Sequence, residues 1–371
     1  MIAHPAAMAT IAAGLLRFSG FLMPAVATPL FTWQIPLPFQ NEPHEFRFTL
    51  AQPLAVLVIL LVAGINCLGV RFGGLVQVVL TVVKVVALLA VVALGFGLGP
   101  ASLNRGEASP AGPFEAGSLG GFLTALVAAL WAYNGWANVA LVSSEVANPQ
   151  KNISRALVGG VLFVGGVYVL ANIVYFTVLS LPGVAQSEHV ASDVVEQFAG
   201  RSAAQWITAA MIVSALGTLN SSSLSGARVP YAMARDGLFF GFAARIHPTF
   251  RAPGRALFFQ AGLGSLFALT GTFEELFSLV VFAEWIFYGL TVAALFRLRR
   301  QEPELERPYR AWGYPWAPAL FLIGAFALTV NLWVERPVRS SIGLALILSG
   351  LAFYRHWRKR SLPVEFGSVR T

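Results

Sequence analysis

Ten stretches of this chain are dominated by apolar residues and are separated by polar, charged or Gly- and Pro-containing segments. They run roughly from Pro5 to Pro24, Leu50 to Val70, Leu75 to Leu98, Gly121 to Glu145 and Ala156 to Leu181. The second five run from Gln205 to Tyr231, Ala256 to Gly271, Phe277 to Phe296, Trp316 to Val334 and Ser341 to Tyr354. Several approach or exceed the ~18 apolar residues that mark a helix able to cross a bilayer. The pattern therefore predicts an all-α polytopic membrane protein with ten helices. A Pro- and acid-containing loop, Phe31 to Arg47, is expected after the first helix, and the basic run Arg71-Phe72-Gly73-Gly74 reads as a tight turn between the second and third. A polar loop, Gly99 to Ser118, precedes the fourth, and a loop carrying Glu188, His189, Asp193 and Glu196 follows the fifth. No low-complexity segment or soluble domain interrupts the series.

The fourth stretch is broken. An apolar run from Phe122 to Ala129 leads into Leu130 and Trp131, and then Ala132, Tyr133, Asn134 and Gly135 interrupt the hydrophobicity at about mid-depth. Helix-poor Asn-Gly within a span leaves backbone groups without their usual partners, which is tolerated only against protein or a water-filled cavity. Broken helices of this kind carry midplane substrate sites in secondary transporters.

Composition agrees with the membrane reading: 57% of the 371 residues are hydrophobic and 11% charged, against roughly 25% charged in soluble domains. The net charge of +8 raises the question of nucleic acid, but the basic residues lie between hydrophobic spans, so topology accounts for them. Eighteen Lys and Arg residues fall in one set of alternating loops and the C-terminal tail, five in the other set, and Arg17 and Lys84 lie within spans. That asymmetry supports ten helices and predicts a cytoplasmic C-terminus, with Met1 on the same side. Residues Met1 to Met8 have no basic leader, so no cleavable signal peptide is expected. The single cysteine, Cys67, permits no internal disulfide.

Several polar residues inside spans are candidates for chemistry. Lys84 sits about ten residues, or ~15 Å, in from the expected cytoplasmic turn. A charged lysine at that depth costs at least about 2.5–3.5 kcal/mol. Its ammonium either snorkels or serves a site, by exchanging protons or by standing in for a metal cation. The run Ser214, Gly217, Thr218, Asn220, Ser221, Ser222, Ser223 and Ser225 suits close helix packing or a polar site equally. Tyr168, Asn172 and Tyr175 share a helix face, as packing or as pocket wall. Glu284 is a second ionisable group within a span, held against a neighbouring helix or facing a vestibule. Glu145, near Lys151, Arg155 and Arg228, reads as a cytoplasmic gate or as an interfacial ion pair. Five scattered histidines and one cysteine give no zinc spacing. Nucleotide-binding and hydrolase fingerprints are absent from the sequence. An enzyme is not expected, nor a metal or cofactor, and transport would run on gradients or exchange.

Three stretches together resemble the amino acid–polyamine–organocation superfamily, closest to its L-amino-acid transporter branch. They are W-A-Y-N-G-W through E-V-A-N-P-Q-K-N-I-S-R-A (Trp131 to Ala156), A-R-V-P-Y-A-M-A-R-D-G-L with H-P-T-F-R-A-P (Ala227 to Pro253), and E-W-I-F-Y-G-L through R-P-Y-R (Glu284 to Arg310). The helix around Lys84 fits a fourth, and the order and spacing cover almost the whole chain. The resemblance implies an inverted-repeat fold of twelve helices, of which about ten are present here. Lys84 then lies on the fifth helix and the break on the sixth, and the family's first two helices have no counterpart. Residues 1–98 correspond to the remainder of the first repeat, 121–297 to the second, 316–354 to two accessory helices and 355–371 to a cytoplasmic tail. By resemblance, Trp131 is the aromatic gate, and Ala132, Tyr133, Asn134, Gly135 and Glu284 bind substrate. Lys84, with Ser214, Gly217 and Thr218, replaces a sodium ion. Asn134, Ala137 and Glu284 depart from the residue types usual in the family.

The expected function is a sodium-independent amino-acid permease or exchanger, with proton linkage as an open option, working by alternating access in the cell membrane. Two alternatives stand beside it: an N-terminally truncated, non-transporting fragment, and a membrane-embedded amino-acid sensor or scaffold. The expected partners are an amino acid and the lipid bilayer, without nucleic acid. The loop Phe31 to Arg47 contains no cysteine, so no disulfide-linked ancillary subunit is expected.

Overall fold

The computed structural model describes residues 3–35, 44–98, 119–141, 143, 146–270, 273–307 and 309–358. Each of the ten apolar stretches contains a helix. In chain order these are α1 (Ala3–Leu22), α2 (Ala51–Cys67), α3 (Val70–Leu98), α4 (Leu119–Ala132) with the short α5 (Asn138–Leu141), and α6 (Pro149–Val178). After α7 (Leu181–Gln186) come α8 (Val190–Gly226), α9 (Arg228–Arg235), α10 (Gly254–Thr270), α11 (Phe273–Gln301), α12 (Trp316–Glu335) and α13 (Pro337–Arg358). Seven helical segments are long and apolar enough to cross a membrane, and α2 and α4 are shorter apolar helices. The chain is a multi-pass helical membrane protein.

Three expectations are corrected. The connection between α2 and α3 is not Arg71 to Gly74. It is Leu68-Gly69, where Gly69 takes φ 121°, a backbone conformation that glycine adopts without steric penalty. Gly73 lies in the first turns of α3, where a Cβ would come within 2.5 Å of Asn66 Oδ1, so close packing demands its small size. The loop after α1 contains an antiparallel hairpin, β1 (Pro29–Ile35) with β2 (His44–Thr49), in which Phe31 stacks on Phe48 at 4.7 Å. The segment around Glu188 to Glu196 is largely helical: α7 is capped by Ser180, whose side chain accepts from Gly183 N, and α8 begins at Val190. Gly200 (φ 79°, ψ 172°) divides that outer piece of α8 from its long inner piece.

The helices assemble around α1. Half of its apolar window is buried, against 22% or less in every other long apolar helix. Its small residues Ala9 and Ala12 allow close approach, and Met8, Leu15 and Leu16 fill the gaps against Ile59, Ala63, Leu219 and Ala261. The opposite behaviour marks the lipid-facing side: Val78, Val79, Val82 and Val86 of α3 are exposed. Packed against α2, α8, α10 and α11, α1 forms one wall of a polar hollow beside the broken helix, and α3, α6, α8 and α11 supply the others.

Candidate substrate cavity

The break has defined geometry. The α4 helix ends at Ala132, and the chain turns through i→i+3 bonds, with Tyr133 N donating to Leu130 O (3.1 Å) and Asn134 N to Trp131 O (2.9 Å). Gly135 adopts φ 103°, and Asn138 N, donating to Gly135 O at 3.0 Å, starts α5. A carbonyl released by such a break needs a donor. For Ala132 O the donor is the hydroxyl of Tyr168 on α6, at 3.0 Å.

A cavity of roughly 810 Å³ opens beside this turn, lined by residues of α1, α3, the break, α6, α8 and α11. Its size lies within the range typical of small-molecule sites. Among the sequence candidates, Lys84, Trp131, Ala132, Asn134, Gly135, Ser214, Thr218 and Glu284 all line it. The ammonium of Lys84 donates to Thr218 Oγ1 at 2.7 Å, and Thr218 Oγ1 donates to Ser214 O at 3.1 Å. The lysine thus reaches across to α8. Trp131 meets Phe277 edge-on at 5.0 Å.

Other candidates point elsewhere. Tyr133 is not among the lining residues; its ring packs on Tyr168 at 5.3 Å and 70°. Gly217 faces α3, where a Cβ would stand 2.9 Å from Leu80 Cβ, so its small size serves the α3–α8 contact. Arg228 opens α9 and donates to Leu224 O. Glu145 lies outside the described residues.

The tyrosine stripe left open by the sequence faces the cavity: Tyr168 and Tyr175 both line it, while Asn172 Nδ2 donates to Tyr168 O at 2.8 Å within α6. Sequence reasoning missed a polar triad. Asn134 Nδ2 donates to Glu284 Oε2 at 2.7 Å, and the Tyr288 hydroxyl donates to Asn134 Oδ1 at 3.4 Å. The i, i+4 spacing of Glu284 and Tyr288 was the available signal. Arg17, His4 and Glu188 also line the cavity.

Among the described residues, no group of three or more His, Cys, Asp or Glu could hold a metal ion. The cavity offers charges, hydroxyls and backbone groups. Such a set can hold a small zwitterion.

Residues 9–353 match the family model described as amino acid permease. The chain belongs to the amino acid permease family. Among its relatives is the serine/threonine exchanger SteT of Bacillus subtilis (strain 168), 28% identical over 314 residues, covering 84% of this chain and 70% of the relative. The human b(0,+)-type amino acid transporter 1 is 30% identical over 306 residues, covering 81% of this chain and 61% of the relative. The mouse large neutral amino acids transporter small subunit 2 is 32% identical over 309 residues, covering 81% of this chain and 56% of the relative. The permease described here thus spans between 56 and 70% of the length of these relatives.

Proposed function

We propose that this permease is a secondary active amino-acid transporter, sodium-independent, that works by alternating access. The observation that carries the reading is the meeting, in one cavity, of an interrupted helix with a lysine bonded across to α8. Half-helix ends and unwound backbone present carbonyl and amide dipoles that bind charged groups away from water. In this reading the backbone carbonyls from Ala132 to Gly135 take the α-amino group of the substrate, and Trp131 closes over it. Asn134 and Glu284 form an adjoining polar wall. The Lys84 ammonium, with Ser214 and Thr218 beside it, takes the place of a coupling cation, and Gly217 lets α3 and α8 come close enough for that bond. Glu145 and Arg228 gate the cytoplasmic end.

The relatives' names support the substrate class, and one of them is an exchanger, which favours exchange over ATP-driven transport. The eighteen-to-five asymmetry of basic residues supports a cell-membrane protein with a cytoplasmic C-terminus. Residues 1–98 and 121–297 then act as two repeats moving against each other, with 316–354 as accessory helices. The cysteine-free segment from Phe31 to Arg47 favours a chain that works without a disulfide-linked subunit.

Reconstitution of the 371-residue chain into proteoliposomes tests this. Uptake of radiolabelled leucine, alanine, serine or arginine is expected, unchanged when sodium is replaced by choline and faster when the vesicles are preloaded with amino acid. Absence of both uptake and amino-acid binding would overturn the reading.

A further inference from the structure

Two ionisable side chains on the cavity wall have no ionic partner among the described residues. Lys84 is committed to Thr218 through one hydrogen bond, and Glu284 accepts one from Asn134. The Asn134 amide is oriented from its far side: the Tyr288 hydroxyl donates to Oδ1, so Nδ2 turns toward Glu284. Asn134 therefore offers Glu284 a donor and no acceptor, while a carboxylate has about four acceptor positions in all. Most of that capacity is left for a donor arriving from the cavity.

A neutral amino acid brings one ammonium and one carboxylate. With its α-amino group on the backbone carbonyls of the break, nothing in the ligand answers the charge of Glu284, and a desolvated charge without a partner is unfavourable. A side chain ending in an ammonium or guanidinium answers it. Resting on the transporter reading above, we infer that the site prefers amino acids with a cationic side chain, recognised by Glu284, with Asn134 and Tyr288 holding the carboxylate in position.

Lysine and norleucine share a carbon skeleton and differ in the terminal amine, so they separate side-chain recognition from recognition of the α-amino group. The test is competition by each against tritiated lysine, and in parallel against tritiated leucine, bound to the detergent-purified chain. Lysine is expected to compete about tenfold better than norleucine, a difference of ~1.4 kcal/mol. In Glu284→Gln the ratio is expected to fall to near one, and Glu284→Asp, which keeps the charge, retains part of it. Should Glu284→Gln aggregate on gel filtration, Tyr288→Phe replaces it; loss of the hydroxyl frees the Asn134 amide, and the ratio is again expected to fall. Equal competition by the two ligands in the unmodified chain, or an unchanged ratio in the variants, overturns the inference. Leucine binding and uptake with no lysine preference overturn it while leaving the transporter reading intact. Absence of binding and uptake for every amino acid overturns both.

Discussion

Lys84 Nζ lies 2.7 Å from Thr218 Oγ1, and this bond joins α3 to α8 on the wall of the cavity, beside those from Asn220 Nδ2 to Gly73 O and Gln77 Oε1. In the transporter reading proposed above, the Lys84 ammonium stands in for a coupling cation. Lys84→Ala is therefore expected to insert and fold but to lose amino-acid uptake by about tenfold or more, about 1.4 kcal/mol in barrier terms. Uptake per folded protein, with folding checked by gel filtration, measures it; wild-type rates would remove Lys84 from the mechanism.

Thr218→Val keeps the shape of the side chain and removes the acceptor. Loss of this hydrogen bond is expected to lower stability by about 1 kcal/mol, with uptake reduced less than in Lys84→Ala. Thermal unfolding of the detergent-solubilised protein reads the first effect and proteoliposome uptake the second.

Tyr168→Phe removes the donor to Ala132 O. Loss of one such hydrogen bond costs about 0.5–1.5 kcal/mol, and the carbonyl concerned belongs to the broken helix itself, on the cavity wall. The expected result is weaker substrate binding with little change in expression, read by the dissociation constant of a labelled amino acid.

Gly135 holds φ 103°, where a Cβ is strained by about 1–3 kcal/mol. Gly135→Ala is expected to shift the turn and reduce both binding and transport. The same change at Gly324, a helical position with nothing within 4 Å of an added Cβ, serves as control and should be silent in both assays.

Gly217→Val is expected to be destabilising through the α3–α8 contact, because a Cβ there already stands 2.9 Å from Leu80 Cβ. Overpacking of a close helix contact costs about 1–3 kcal/mol. A lowered unfolding temperature without a selective change in substrate preference would separate this packing role from a role in ligand contact.

The helices were legible because a bilayer demands long apolar runs, and the break was legible because Asn134-Gly135 violates that demand. Short-range features fared less well. The Gly73-Gly74 pair reads as a turn in isolation, yet Gly73 is small because Asn66 crowds it. The hairpin alternates as Phe31, Trp33 and Ile35 against Phe46 and Phe48, a pattern hidden by the prolines between its strands. The cavity was half legible. Lys84 and Thr218 both stand out in the sequence as polar residues within spans, although their bond spans 134 residues. Asn134 and Glu284 are 150 residues apart, and no local period connects them; only the folded chain brings them together.

The central position of α1 bears on how the protein is made. The helix α2 follows it directly, but its other neighbours α8, α10 and α11 are translated long after it, so α1 enters the bilayer before most of the surface it will pack against exists. Assembly cannot be completed by stacking each new helix onto the last. The long-range closure around α1 is the late step of biogenesis, and ribosome-bound intermediates released before α11 should hold α1 in a protease-accessible or chaperone-bound state.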